Sequence, residues 1–184
     1  RENDEGPNTG GMGAVSPVVF ADRSFKDKVN KKIIKPTIEG LKKEGIDYSG
    51  FIFFGLMNVG GEPFVIEYNV RMGDPETQVV IPRVKTDFLD LLIATSDQTL
   101  IDTDIEYERY TAATVVFVSR GYPEFYEKGH EISIGDTRPV LAFHAGTTQN
   151  KGTLCTNGGR VIALTGLGKN LTESLSKCYN SGKE

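Results

Sequence analysis

A four-residue repeat in the segment ADRSFKDKVNKKIIKPTIEGLKKEGI predicts an amphipathic helix. The repeating positions are Phe25, Val29, Ile33, Thr37 and Leu41. Asp22 or Ser24 is suited to cap the start of this helix, and Gly45 is suited to end it. Pro36 interrupts the pattern because proline has no backbone N–H to donate, so we expect a kink or a break near Lys35.

Two runs rich in aromatic and β-branched residues follow, at Phe51–Met57 and Phe64–Val70. The turn sequence NVGGEP separates them and predicts an antiparallel hairpin. In GDPETQVVIP, we expect Asp74 to cap a short helix that starts with Pro75 and ends at Pro82. The segment TDFLDLLIATS predicts one more helix in this half of the chain.

The pattern changes after the polar stretch DQTLIDTD. Short β-type runs are then separated by Gly and Pro turns, namely TAATVVFVS, EISIG, VLAFHAGTT and GRVIALTGLG. The segment NLTESLSKCY predicts a final helix, with Asn170 and Glu173 at capping-box spacing. We therefore expect an α+β fold with two domains, residues 1–103 and a small α+β domain at residues 104–184.

The composition of the chain argues against two classes of function, nucleic-acid binding and membrane association. The chain has 184 residues, a net charge of -4 and a sequence pI near 5.3, so it carries no basic field that would hold nucleic acid or an anionic membrane. No apolar run approaches the roughly 20 residues that a membrane helix needs, and the opening residues lack a signal-peptide pattern. We expect a cytoplasmic protein with neither nucleic acid nor membrane as a partner.

The candidate chemistry lies in FVIEYNVRMGDPE, the second strand of the predicted hairpin. Alternation along a strand gives one face Val65, Glu67, Asn69 and Arg71, and gives the other Ile66, Tyr68 and Val70. A carboxylate and an amide oxygen two residues apart offer hard oxygen ligands, which suit Mg²⁺. Arg71 is then in reach of a phosphate held by the same ion, an arrangement suited to phosphoryl transfer.

The same alternation also fits a purely structural role. Polar residues on a hairpin strand are often the solvent face of an antiparallel sheet, and Glu67 with Arg71 is then a surface ion pair. A functional face predicts side chains in a cleft, whereas a structural one predicts an open sheet surface.

The Gly-rich opening GPNTGGMGA and the segment GDPET each allow two interpretations. Gly10, Gly11 and Gly13 permit close backbone approach, and Asn8 and Thr9 add polar side chains, as in a phosphate or substrate cradle. A Gly-rich turn without such a role fits equally. In GDPET the carboxylates argue against an anion site, which leaves a substrate ammonium, a metal or a capped helix start.

Taken together, GPNTGGMGAVSP, VIEYNVRMGDPETQVV, VVFVSRGYP, FHAGTT and TNGGRVIALTGLG resemble the phosphoribosylamine-glycine ligase family of purine biosynthesis. The resemblance runs in order along essentially the whole chain. It implies an ATP-grasp enzyme that activates glycine with ATP as an acyl phosphate. The amine of 5-phosphoribosylamine then attacks, which gives glycinamide ribonucleotide, ADP and phosphate.

The resemblance also implies site residues. Glu67 and Asn69 match ligands of Mg²⁺ or Mn²⁺, and Arg71 matches a catalytic arginine aimed at the transferring phosphate. Two segments fall where the family lines its substrate pocket: Asn8, Thr9, Gly10, Gly11, Met12 and Gly13, and then Gly73, Asp74, Pro75 and Glu76. Many ATP-grasp enzymes place an acidic ligand on the preceding strand, where this chain has Gly55, so Glu67 should matter correspondingly more.

The same resemblance predicts that the chain is a fragment. The family begins with a nucleotide-fold domain and an ATP-gripping clasp, so we expect the C-terminal half of an ATP-grasp domain plus a small C-terminal domain. The missing N-terminal part of the same chain is then a partner, and the fragment alone should be inactive. Two other functions stay open: another ATP-grasp carboxylate-amine ligase, and a non-catalytic binding module.

Overall fold

The computed structural model describes residues 5–182 and divides the chain into two compact units. The first unit comprises Arg1–Ser16, Asp74–Arg83 and Glu108–Glu184, and the second comprises Pro17–Gly73 and Val84–Tyr107. Each unit is made of separate segments, and the segments of the two units alternate along the sequence. The division into domains at residue 103 stays a prediction.

The elements mix helices with antiparallel strands, which confirms the α+β class. The strands are β1 (Gly13–Ser16), β2 (Phe53–Val59), β3 (Glu62–Asn69), β4 (Thr111–Val118), β5 (Val140–His144), β6 (Thr147–Asn150), β7 (Thr153–Thr156) and β8 (Arg160–Gly168). The helices are α1 (Arg23–Val29), α2 (Lys35–Lys43), α3 (Thr77–Val80), α4 (Phe88–Ser96) and α5 (Leu171–Ser181). Short 3₁₀ turns follow α3 and α4, at Ile81–Arg83 and Leu100–Asp102.

The first unit is built on a four-stranded antiparallel sheet in the order β1-β4-β8-β5. The central strand β8 is buried almost throughout, which explains why its run VIALTGL is apolar except for Thr165. An apolar cluster of Val140, Val161, Ile162 and Leu164 lies in the core of this sheet.

Helix α5 packs on β4 and β8 through small residues. The Sγ of Cys178, which is fully buried, accepts from the Gly166 N–H at 3.1 Å and donates to the Ala113 carbonyl at 3.3 Å. Asn170 caps the helix by accepting from the Glu173 N–H, as predicted. Glu173 in turn accepts from the Lys169 N–H, one residue before the cap.

The second unit places the predicted amphipathic helix beside the β2–β3 hairpin. Asp22 caps α1 by accepting from the Phe25 N–H at 2.8 Å. A π-helical segment, Asn30–Ile34, lies between α1 and α2 and ends directly before Lys35. The Lys35 N–H bonds to the Asn30 carbonyl and the backbone remains helical on both sides, so the kink or break predicted near Lys35 takes the form of a π-helical irregularity and not of a break.

Two strand predictions were wrong. The run EISIG forms no strand, since within it only Glu131 makes an isolated bridge, to Cys155. Conversely, Gly13–Ser16 of the opening segment, for which we predicted no strand, pairs with β4 as edge strand β1. A four-residue edge strand has too few positions to show alternation.

The predicted cap of the short helix was also wrong. Helix α3 begins at Thr77 with Glu76 at its cap position and no side-chain capping bond. The Asp74 carboxylate instead accepts hydrogen bonds from Gln78 and from the distant Arg160. The Asp74 side chain therefore forms these bonds instead of capping helix α3.

Within residues 5–182, no helix combines the length and the apolar character needed to cross a bilayer. The cytoplasmic location stays a prediction.

Candidate functional site

A β-bulge in the hairpin sets which side chains share the face of Glu67. Gly55 pairs with Glu67, but the next residue, Leu56, pairs with Val65, so Ile66 is the extra residue of β3. Neighbouring residues of β2 point to opposite faces, so Val65 and Glu67 do too. The expectation that they share a face was wrong, because a bulge breaks the period of two.

Glu67 and Asn69 nevertheless stay together. They pair with Gly55 and Phe53, two residues apart on β2, and therefore lie on one face of the hairpin. The Asn69 Nδ2 donates to Glu67 Oε1 at 3.0 Å. This hydrogen bond uses the amide nitrogen of Asn69 and leaves its Oδ1 oxygen for a ligand.

The solvent exposure of Glu67, Asn69 and Arg71 does not indicate a cleft, which is what a functional face of the strand predicts. Glu67 and Arg71 are exposed and Asn69 is half-buried. The Arg71 Nη1 donates to the Met72 carbonyl at 2.9 Å. In this chain alone these side chains therefore lie on an accessible face, and burial gives their functional role no support.

The donor set fits a magnesium-type ion only in part. Glu67 and Asn69 supply hard oxygens, yet residues 5–182 hold no group of three or more His, Cys, Asp or Glu side chains placed to bind a metal. Mg²⁺ commonly takes one or two protein ligands and completes its shell with water and substrate phosphates. Two protein oxygens are consistent with that mode of binding.

The glycines of the opening segment lie against protein atoms. A Cβ at Gly10 would be 2.9 Å from Arg160 Nε, and one at Gly13 would be 2.9 Å from the Thr114 carbonyl oxygen. A Cβ at Gly11 would overlap Pro75 Cδ. These three glycines are therefore required by close packing within the first unit, whichever ligand the segment meets.

Asp74 and Arg160 form the main ion pair of this region. The Arg160 Nη2 donates to Asp74 Oδ2 at 2.6 Å, and Gln78 Nε2 donates to Asp74 Oδ1 at 3.0 Å. The two bonds engage both carboxylate oxygens, and the Arg160 guanidinium offsets the negative charge of Asp74 that argued against an anion near GDPET. The ordinary repulsion between Asp74 and an anion is correspondingly reduced.

The remaining predicted substrate residues differ in exposure. Gly73 and Pro75 are buried and Glu76 is half-buried. Asn8, Thr9 and Met12 are exposed. The structure thus brings Gly10, Gly11 and Gly13 of the opening segment against protein atoms and leaves the polar side chains of that segment accessible.

Two residues that contact the predicted substrate segments, Arg160 and Tyr122, were not predicted from the sequence. Arg160 contacts Gly11 and Asp74, and the Tyr122 hydroxyl accepts from the Gly10 N–H at 3.0 Å. More than one hundred positions separate each of them from the opening segment. No local pattern reports such a contact, although both residues fall inside motifs that carry the family resemblance, VVFVSRGYP and TNGGRVIALTGLG.

Two family models match the chain. The model of the phosphoribosylglycinamide synthetase ATP-grasp (A) domain matches residues 1–77, and that of the C domain of the same synthetase matches residues 112–184. Together they account for most of the sequence.

Individual relatives agree with these models. A bifunctional purine biosynthetic protein of Pichia angusta is 45% identical over 183 residues, which is 97% of this chain and 23% of that protein. A phosphoribosylamine-glycine ligase of Chlorobaculum tepidum is 43% identical over 184 residues, 98% of this chain and 43% of that protein. The chain therefore spans less than half the length of either relative.

A solved structure shares the fold. The crystal structure of a phosphoribosylamine-glycine ligase of Thermotoga maritima matches with a TM-score of 0.83 and 38% identity. The match covers 98% of this chain and 45% of that one.

Proposed function

Because the chain belongs to the phosphoribosylglycinamide synthetase family, we propose that it contributes the metal, phosphate and substrate residues of a ligase. The proposed enzyme joins glycine to 5-phosphoribosylamine at the expense of ATP. The observation that carries the proposal is the pairing of Glu67 with Asn69 on one hairpin face. These residues lie in the part of the chain matched by the ATP-grasp domain model.

The reaction proceeds in two steps. A carboxylate oxygen of glycine attacks the γ-phosphorus of ATP, the bond to the β-phosphate oxygen breaks, and ADP leaves glycyl phosphate behind. The amine nitrogen of phosphoribosylamine then attacks the glycyl carbonyl carbon. Inorganic phosphate leaves, the amine loses a proton and the amide of glycinamide ribonucleotide remains.

Glu67 and Asn69 would hold the Mg²⁺ or Mn²⁺ ion that such chemistry uses. When bound, the ion neutralises and orients the transferring phosphates. The Asn69 amide, by donating to Glu67, fixes the carboxylate in the orientation that the hairpin gives it.

Arg71 is the residue proposed to act on the transferring phosphoryl group. Its guanidinium carries a permanent charge and a planar set of donors that match phosphate oxygens. In the second unit it follows β3 by two residues, so its backbone starts from the same strand as the metal-binding pair.

The proposed substrate residues are the opening segment and the turn that follows Arg71. The set is Asn8, Thr9, Gly10, Gly11, Met12, Gly13, Gly73, Asp74, Pro75 and Glu76. The exposed Asn8 and Thr9 offer hydrogen-bonding side chains, while the packed glycines give the segment a defined path. We infer that these groups meet glycine and phosphoribosylamine.

Because the chain spans less than half of its relatives, the activity is proposed for the full-length protein. We therefore expect this chain by itself to release no ADP.

A coupled ADP-release assay tests the proposal, with glycine, phosphoribosylamine, Mg²⁺ and ATP. Activity of the full-length protein, absent when either glycine or phosphoribosylamine is omitted, supports the ligase. Absence of activity in folded full-length protein refutes it. Activity restored by a different carboxylate or amine instead identifies another ATP-grasp ligase.

A further inference from the structure

Arg160 connects two segments that lie far apart in the sequence. Its Nη1 donates to the Gly11 carbonyl at 3.0 Å and to the Asp74 carbonyl at 3.2 Å, while its Nη2 donates to Asp74 Oδ2 at 2.6 Å. One planar guanidinium thus contacts the Gly-rich segment and the turn before α3. Both segments belong to the proposed substrate site.

The backbone of Arg160 is itself firmly held. It is the first residue of β8, its carbonyl accepts from the Gly146 N–H at 2.9 Å, and it pairs with Val118 of β4. Its side chain is 25% exposed, far less than that of an ordinary surface arginine such as Arg138, at 88%. The guanidinium therefore projects from a fixed point of the central sheet.

Tyr122 holds the same Gly-rich segment from a second direction. Its hydroxyl accepts from the Gly10 N–H at 3.0 Å. Its ring lies so close to Gly159 that a Cβ there would overlap it, and it makes an edge contact with Tyr126 at 6.0 Å. Two peptide groups of the segment, those of the Gly10 N–H and the Gly11 carbonyl, are thus bound by two anchored side chains.

The glycine positions fit this arrangement. At Gly10 an added Cβ would press on Arg160 Nε at 2.9 Å, and at Gly11 it would overlap Pro75. The segment therefore passes between Arg160 and the Asp74–Pro75 turn with no space for side chains at these two positions. A movement of Arg160 would displace both segments together.

We infer that Arg160 and Tyr122 are positioning residues that set the conformation of the Gly-rich segment against the Asp74 turn. The inference rests on the proposed function, because it assumes that these segments bind glycine or phosphoribosylamine. It assigns no contact with ATP to either residue. Their loss should therefore weaken binding of the small substrates and leave ATP binding unchanged.

Arg160→Lys in the full-length protein is the sharpest test. Lysine keeps the charge but has a single nitrogen, so it cannot span Gly11 and Asp74 as the two-pronged guanidinium does. We expect the KM of glycine or phosphoribosylamine to rise by about tenfold or more, with the KM of ATP within about twofold of wild type. Tyr122→Phe removes one acceptor and should raise the same KM by a smaller factor.

Arg138→Lys is the matched control. Arg138 also forms an ion pair at 2.6 Å, with Asp136, in the same compact unit, but its side chain is largely exposed. All three KM values of this variant should equal those of the wild type. If Arg160→Lys fails to fold, Tyr122→Phe decides the question by the same comparison.

The outcomes separate the inference from the proposed function. A wild-type protein without glycine- and phosphoribosylamine-dependent activity refutes the proposed function. An active wild type with unchanged KM values in Arg160→Lys and Tyr122→Phe refutes only the inference. An equal rise in all three KM values also refutes it, since that pattern reflects general damage to the fold.

Discussion

The Asn69 amide donates a hydrogen bond to the Glu67 carboxylate at 3.0 Å, and the two side chains share one face of the hairpin. This relationship makes Glu67 the residue whose charge is most important to the proposed metal site. Glu67→Gln preserves shape and removes that charge. Because Glu67 is exposed, the fold should persist while turnover of the full-length protein falls by at least about tenfold.

The decisive measurement for Glu67→Gln is a Mg²⁺ titration of the rate. The half-maximal Mg²⁺ concentration should rise in the variant. Glu106→Gln is the matched control, because Glu106 is an exposed glutamate of the same compact unit that pairs with Lys85. Undiminished activity of Glu67→Gln over the whole titration would remove Glu67 from the metal site.

Arg71→Lys tests the proposed phosphate contact. Lysine keeps a positive charge but loses the planar fork that matches two phosphate oxygens. We expect the rate of phosphoryl transfer in single-turnover experiments to fall by at least about tenfold, less than the roughly 10³ to 10⁵ associated with a complete arginine finger. Arg23→Lys, at an exposed position of the same unit, should keep the wild-type rate. A wild-type rate in Arg71→Lys would exclude Arg71 from this step.

Local sequence patterns correctly predicted the features that depend only on residues a few positions apart. The Asp22 cap, the two-stranded hairpin and the Asn170 cap each depend on neighbours close in sequence, and each was confirmed. The kink or break expected near Lys35 is present as a π-helical irregularity. The family resemblance of the motifs was confirmed as well. Edge strand β1 was missed because its partner, β4, lies about one hundred residues away.

The types of residue in the candidate site could be predicted from the sequence, but the contacts between those residues could not. The motif EYNVR identified Glu67 and Asn69 as a pair, but the bulge at Ile66, which depends on the register with β2, could not be read from one strand. Asp74 was assigned to a helix cap because its competing partner, Arg160, lies 86 positions away. The register between two strands and an ion pair between distant residues depend on the tertiary structure. A local pattern in one sequence therefore does not reveal them.

Gly55 offers a test of how the hairpin positions Glu67. A Cβ at this position would lie 2.8 Å from Glu67 Cγ, closer than normal packing allows. Gly55→Ala should therefore push the Glu67 side chain aside and raise the half-maximal Mg²⁺ concentration several-fold, with the hairpin retained. Gly40→Ala is the matched control, because a Cβ there meets no atom within 4 Å. Equal Mg²⁺ dependence in the two variants would show that Gly55 has no part in placing Glu67.

Glu62 provides a prediction on pH. Hydrogen bonds from Lys28 and Lys32 lower the pKa of Glu62 from 4.5 to about 2. Because the pKa is depressed in the folded state, the stabilisation is complete above the unfolded pKa and is lost as the pH falls from 4.5 toward 2. The Tm of wild type should exceed that of Glu62→Gln by at most a few degrees near neutral pH, since the group is exposed.

That difference in Tm should shrink steadily as the pH is lowered through the same window. Lys32→Met removes one of the two donors, so it should raise the pKa of Glu62 toward its ordinary value and move the loss of stability to higher pH. Lys31→Met changes an adjacent lysine of the same π-helical segment and serves as the control. A Tm difference between wild type and Glu62→Gln that stays constant from about pH 7 to about pH 3 would contradict the depressed pKa, because a pKa that differs between the folded and unfolded states must make stability depend on pH between the two values.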